Sequence, residues 1–186
     1  MLMISNNSKR LNNYYNSIIT QDFLLKTNCN SLFEIPYLEK IVLNSSSSIY
    51  ALDRKNLISP LLGFEFLTGQ KAKFTCAKKS LAPFKIRENQ ILGCKVTLRK
   101  KQLYKFLNIF TSIYLPRIRD FSGFFEKSTK NKSSFSFGIS NVLTFPQLEN
   151  HFEYFQNFRG FNLNISISQS HPKTLSLLLS AYQLPY

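Results

Sequence analysis

The chain has 186 residues, with 24 Lys and Arg against ten Asp and Glu, and its formal net charge is +14. A hydrophobic content of 44% with 18 Phe excludes a disordered basic tail, so the charge sits on a folded body. Such a field does not suit a typical metabolic enzyme and favours a polyanionic partner through counterion release, while the absence of an apolar run near the roughly 20 residues needed to cross a bilayer excludes a transmembrane helix.

In chain order, Leu11, Tyr14, Tyr15, Ile18, Ile19, Leu24 and Leu25 recur at spacings of three and four, which predicts an amphipathic helix over 11–27 ended by Asn28 to Ser31. The segment before it lacks both an apolar signal core and the Arg-rich amphipathic character of a transit peptide. EKIVLNS, 39–45, reads as a strand with Ile41 and Leu43 on one face and Lys40, Val42 and Asn44 on the other. Ser45 to Ser48 read as a flexible turn. Asp53 then stands as the N-cap of a helix through Leu67 with Leu57, Leu61, Leu62, Phe64 and Phe66 on its apolar face, kinked or divided at Pro60 and ended by Gly69.

Residues 68–99 read as strand, long basic loop, strand. Leu103, Phe106, Leu107, Phe110, Ile113 and Tyr114 then predict a helix within 100–120, stopped by Pro116. Residues 121–134 are loop by composition. SFSFGIS (134–140) and FNLNISISQS (161–170) alternate as strands, and a final helix over Pro172 to Tyr182 buries Leu175, Leu178 and Leu179. Without regular βαβ units the fold class is α+β: a mainly antiparallel sheet with helices packed on one face, and a basic β-loop-β extension. We read one domain over 1–186, with 1–30 a helical arm and 31–186 the α+β body.

The charge is concentrated. Between Lys71 and Lys132 lie 16 of the Lys and Arg and only three acids, Glu88, Asp120 and Glu126. No GxxxxGK[ST], GxGxxG, HExxH or GxSxG run is present. The carboxylate pairs Glu34/Glu39 and Glu149/Glu153 read as surface solvation, His151 and His171 stand alone, and Cys76 among lysines reads as an incidental thiol. Cys29, Cys76 and Cys94 have neither disulfide nor zinc spacing. No catalytic residue, metal or cofactor is therefore assigned. Lys and Arg neutralise phosphates, and Asn44, Gln70 and Thr97 are polar types suited to ribose hydroxyls and base edges.

Alternatives stay open at this level. An RNA-acting enzyme would need clustered acids in the positive region, and a stand-alone RNA-binding protein would use the same basic stretch. Membrane-surface binding would call for an amphipathic basic helix, which this unit is not.

LTGQKAKFTCAKKSLAPFKIRENQILGCKVTLR followed by LPRIRDFSGF resembles the ribosomal protein L-five family, bacterial-type proteins of the large subunit that bind 5S rRNA. NYYNS, IPYLEKIVLN, SFSFGIS, FPQLE and FRGFNLNISIS extend the resemblance in order over nearly the whole chain. It implies a non-catalytic structural role in the central protuberance, beside large-subunit rRNA and neighbouring protuberance proteins. By resemblance, Asn44, Gln70, Thr97, Lys71, Lys73, Lys95 and Arg99 face 5S rRNA; Lys78, Lys79, Lys85 and Arg87 lie on a loop reaching P-site tRNA; and Arg117 and Arg119 face the small-subunit head protein or rRNA. Two departures stand out: Ser45 to Ser48 replace a glycine-containing run, and Pro83 replaces a loop glycine. The excess of Asn, Ser, Phe, Ile, Lys and Tyr points to an AT-rich genome. Together with ENHFEYFQNFRGF, which is similar to mitochondrial members, it leads us to expect a mitochondrial ribosome.

Overall fold

A computed structural model describes residues 11–27, 31–119, 121, 123–124, 134–168 and 172–185. Cys29, Asp120, His171 and most of the expected 121–134 loop lie outside the described residues. Five strands, β1 (Leu38–Ser46), β2 (Lys73–Cys76), β3 (Ile91–Leu98), β4 (Ser134–Ile139) and β5 (Phe161–Ile167), form one antiparallel sheet in the order β2-β3-β1-β5-β4. This is the expected α+β class. The chain divides into two compact units drawn from interleaved segments, one from 1–41, 98–136 and 164–186, the other from 42–97 and 137–163.

In the first unit, helix α1 covers 11–26 and contains a π turn, Tyr15–Ile19. The expected apolar stripe is only partly right: Ile19 and Phe23 are buried, whereas Ile18, Leu24 and Leu25 are exposed. The π turn inserts a residue, which shifts the phase that a simple 3.6-residue repeat assumes. The long helix α4 runs from 100 to 117, as Lys100–Ile109, a π turn Phe110–Tyr114, and Leu115–Arg117. It buries Leu103, Phe106, Leu107, Phe110 and Tyr114 as expected, but it passes through Pro116 and leaves helical geometry at Ile118. The wider turn gives the proline ring, which would clash with a carbonyl four residues back, somewhere to fit. The closing helix α7 (Pro172–Ala181) buries Leu175, Leu178 and Leu179.

Tyr15, Tyr104 and Tyr182 meet inside this unit, each neighbouring pair with ring centroids 6.3 Å apart. Burial pushes Tyr15 up to about 12, helped by Tyr104 and Tyr37, and burial alone pushes Tyr114 up to about 12. Tyr182 is raised further, first by burial and then by Tyr104. In the other unit burial pushes the Cys94 thiol up to about 12. All are acids whose folded pKa exceeds the unfolded value of about 8.5 for Cys and about 10 for Tyr, so their contribution to stability is complete below those values and is lost as pH rises through the folded ones. The denaturation midpoint is therefore expected to fall progressively from about pH 9 towards pH 12; equal midpoints at pH 8 and pH 11 would contradict this.

In the second unit two expectations are corrected. Ser45 to Ser48 are not a flexible turn. Ser45 and Ser46 finish β1, the buried Ser45 hydroxyl donates to the Gly160 carbonyl at 2.8 Å, and the Ser47 hydroxyl accepts from the Ile49 N–H as N-cap of α2 (Ser48–Leu52). The single helix from Asp53 to Leu67 is likewise replaced. After α2 comes a 3-10 turn, Arg54–Leu57, and then α3, Ile58–Thr68; Asp53 caps with no side-chain hydrogen bond. Pro60 falls in the first turn of α3, where no intrahelical donor is required, so the division lies before it. Gly69 ends α3 in the left-handed conformation at φ 69° as expected.

The apolar face of α3 is also narrower than its composition suggests, with Phe64 and Leu67 buried but Leu62 and Phe66 exposed, while Leu57 is buried in the turn before it. Phe64 meets Phe158 and Phe161 edge-on at 5.6 and 5.4 Å, which seats α3 on the covered side of β5. Short helices α5 (Pro146–Glu149) and α6 (Phe152–Phe155) complete this side, with Phe145 and Phe155 buried.

Candidate nucleic-acid interface

Alternation along each strand assigns one set of side chains to the core and leaves the other open. In the second unit the core set is Leu43 and Ser45 on β1, Cys94 and Val96 on β3, Ile139 on β4, and Phe161 and Leu163 on β5, all buried. The opposite set is Val42, Asn44 and Ser46; Lys95 and Thr97; Gly138; and Asn162. β2 adds Lys73 and Thr75, because Lys73 is the register partner of Lys95 and Thr75 of Gly93. This face is built almost wholly from amides, hydroxyls and ammonium groups. An antiparallel sheet can leave such a face to water, and what sets this one apart is that its charged members are all cationic.

Of the expected residues, Asn44, Thr97, Lys73 and Lys95 thus share one face. Gln70 and Lys71 are exposed in the turn between α3 and β2. The Thr68 hydroxyl donates to the Phe64 carbonyl and accepts from the Gln70 N–H at 3.1 Å, fixing that backbone while the Gln70 side chain points outward. Asn162 was missed at the level of sequence. Its signal lay in the polar alternates of FNLNISIS, which are uncharged hydrogen-bonding types and not the Lys and Glu of an ordinary solvated face.

β1 and β3 approach closely at one point. A Cβ added to Gly93 would lie 2.1 Å from the Ser45 carbonyl oxygen and 2.8 Å from the Ser46 Cα, so only glycine fits beneath the end of β1. The closeness is backed by the Ser47 N–H donating to the Leu92 carbonyl at 3.2 Å.

The loop between β2 and β3 is ordered by its own bonds. Ala77 N–H donates to Gln90 and Asn89 N–H to Ala77, closing the base. Gln90 accepts from the Arg87 N–H through Oε1 at 2.9 Å and donates through Nε2 to the Ala51 carbonyl at 2.7 Å. Towards the tip Leu81 bridges to Ile86, Pro83 sits inside a 3-10 turn, Ala82–Phe84, and Lys85 exits it at φ 55°. Lys78, Lys79, Lys85 and Arg87 are exposed here beside an exposed Phe84. The structure therefore separates these four cations from the sheet face.

Lys71, Lys73, Lys78, Lys79, Lys85, Arg87 and Lys95 have no carboxylate within 4.0 Å among the described residues. Seven such charges so close in sequence repel one another, and a polyanion relieves that repulsion. Arg99 belongs to the other unit and pairs with Glu39 at 3.4 Å. Arg117 and Arg119 are exposed at the end of α4, also in that unit. Among the described residues there is no cluster of three or more His, Cys, Asp or Glu fit to hold a metal, and no helix long and apolar enough to cross a membrane.

A family model for the C-terminus of the ribosomal L5 family matches residues 91–186. The large ribosomal subunit protein uL5m of Prototheca wickerhamii is 38% identical, over 94% of this chain and 82% of its own length. That of Reclinomonas americana is 37% identical over 95% and 97%. The large ribosomal subunit protein uL5 of Buchnera aphidicola subsp. Baizongia pistaciae is 36% identical over the same shares.

Proposed function

The chain belongs to the ribosomal L5 protein family, and on that premise we propose that its open sheet face binds 5S rRNA in the central protuberance while the 77–90 loop reaches P-site tRNA. As a member of that family it is a structural, non-enzymatic protein of the large ribosomal subunit and serves translation. The observation that carries the finer reading is the open face, where Asn44, Thr97 and Asn162 offer donors and acceptors beside Lys73 and Lys95, two lysines without carboxylate partners among the described residues. Phosphates take the ammonium groups, and ribose hydroxyls or base edges take the amides and hydroxyls.

Lys78, Lys79, Lys85 and Arg87 on a hydrogen-bonded loop suit a second RNA at a distance from the first. Arg117 and Arg119 are assigned to the small-subunit head, and neighbouring protuberance proteins complete the environment. A mitochondrial ribosome is supported by the two uL5m relatives and by the AT-rich composition.

Crosslinking and sequencing of the RNA held by this protein in purified large subunits tests the assignment: 5S rRNA at Asn44, Gln70 and Thr97 is expected. Recovery of other rRNA alone at these positions would reassign the face. Gln70→Ala or Thr97→Ala is expected to weaken that binding by about 1–3 kcal/mol each, read by filter binding, because each strands a buried partner group on the RNA; unchanged affinity would sink the residue assignment. Lys78→Ala with Lys79→Ala is expected to slow translation by assembled ribosomes while leaving 5S incorporation intact, and normal translation rates would argue against the tRNA role.

A further inference from the structure

The first unit holds a cleft of about 640 Å³ that the RNA-binding reading of the sheet face leaves unused. That volume lies within the roughly 300–1,000 Å³ range of pockets that enclose small molecules. Its lining joins two tyrosines, Tyr37 and Tyr104, to three consecutive cations, Arg99, Lys100 and Lys101. We propose that this cleft takes a single unstacked nucleotide of an RNA strand, the base lying against Tyr37 and the phosphate held by the cations.

The two tyrosines have different parts. Tyr104 is 9% exposed and closes the cleft from inside, while Tyr37 is 49% exposed and presents an uncovered ring. The backbone of Tyr37 is fixed on both sides: its N–H donates to the Ser168 hydroxyl at 3.2 Å, and its carbonyl accepts from the Ser168 N–H at 3.1 Å. A half-exposed ring on an anchored backbone is a stacking platform whose main-chain ordering precedes binding, and it tolerates any base because every base has a π face.

The cations are arranged and not merely present. Glu39 is the acid of the lining; its carboxylate accepts from the Arg99 guanidinium at 3.4 Å and holds it at the rim, with Lys40, outside the lining, 3.9 Å away. Lys100 adopts φ 48°, a left-handed conformation that residues other than glycine rarely use, and both Lys100 and Lys101 are exposed. Such outliers gather where a ligand is clamped. Three positive groups and one negative group lining an aromatic cleft match a base with its phosphate better than either an apolar ligand or a plain anion.

The proposal rests on RNA being the partner of this protein, so the test separates the two. The full chain is titrated with a single-stranded RNA octamer and with an RNA duplex carrying one bulged nucleotide, each labelled with 2-aminopurine, whose fluorescence falls on stacking. Quenching at the bulge is expected. Tyr37→Ala should lose about tenfold or more in affinity and most of the quenching, Tyr37→Phe should retain both, and Lys100→Gln with Lys101→Gln should flatten the dependence of log K on log salt by about 1.4. If Tyr37→Ala matches the parent while Lys73→Gln with Lys95→Gln weakens binding, the cleft proposal is wrong and the sheet reading stands. Equal affinity for adenosine monophosphate and the bulged duplex would make the cleft a free-nucleotide site and overturn the RNA assignment. No binding of either RNA at low salt would remove both readings.

Discussion

Gly93→Ala is expected to destabilise the protein by about 3 kcal/mol or more, a large effect for adding a single methyl group. The reason is steric and lies in the backbone. The new Cβ would stand 2.1 Å from the Ser45 carbonyl oxygen and 2.8 Å from the Ser46 Cα, and neither atom can rotate away as a side chain could. β1 and β3 would have to separate, exposing the buried Leu43, Cys94 and Val96 and disturbing the Ser45 bond to Gly160. Asn44 and Thr97 lie on those two strands, so RNA binding should fall together with stability. Gly138→Ala is the matched control: it also lies on the open face, yet its Cβ would be 3.7 Å from the Asn162 Oδ1, an ordinary contact. Urea denaturation of the two variants checks the argument, and similar midpoints would refute it.

Reversal of two charges at the face should have the largest effect on binding. Lys73 and Lys95 are register partners on β2 and β3, both exposed and both without a carboxylate within 4.0 Å among the described residues. On the proposed reading of the sheet face, Lys73→Glu with Lys95→Glu is expected to weaken binding of 5S rRNA at least about 100-fold near 0.1 M salt, because two proposed phosphate contacts would become repulsions inside the screening length. The slope of log K against log salt should fall by about 2, and folding should be little changed because both side chains are exposed and break no ion pair when replaced. A large loss of affinity with an unchanged slope would mean that the lysines act through hydrogen bonds or fold and not through phosphate neutralisation.

Much of the architecture was legible from side-chain period. The alternation in EKIVLNS, SFSFGIS and FNLNISISQS located three of the strands, the β-formers on either side of the basic loop located β2 and β3, and the spacing from Leu103 to Tyr114 located α4. The misread segments have different causes. Four serines signal flexibility unless one hydroxyl finds a carbonyl 115 residues away, as Ser45 does. Asp53 is an adequate cap by type, but Ser47 starts a short helix before it, and a 3-10 turn and α3 occupy the span read as one helix. In α1 the apolar residues were numerous enough for two stripes, and the π turn decided between them. The candidate site was legible as charge and resemblance; the proposal that it extends to Asn162 required the strand order. The cleft at Tyr37 could not be read at all, since Tyr37 and Tyr104 belong to separate elements whose proximity is a tertiary fact.

The strand order also bears on how the protein is made. β5, at 161–167, lies between β1 and β4, while β1, β2 and β3 are complete by residue 98. During synthesis from the N-terminus, β1 therefore waits with one edge unpaired until nearly nine-tenths of the chain has been translated. Unpaired strand edges are templates for intermolecular pairing, and pairing between distant segments closes slowly. A nascent chain of this design gains from low concentration and from prompt delivery of its closing segment, and truncation before β5 should give an insoluble product even though the basic hairpin is already encoded.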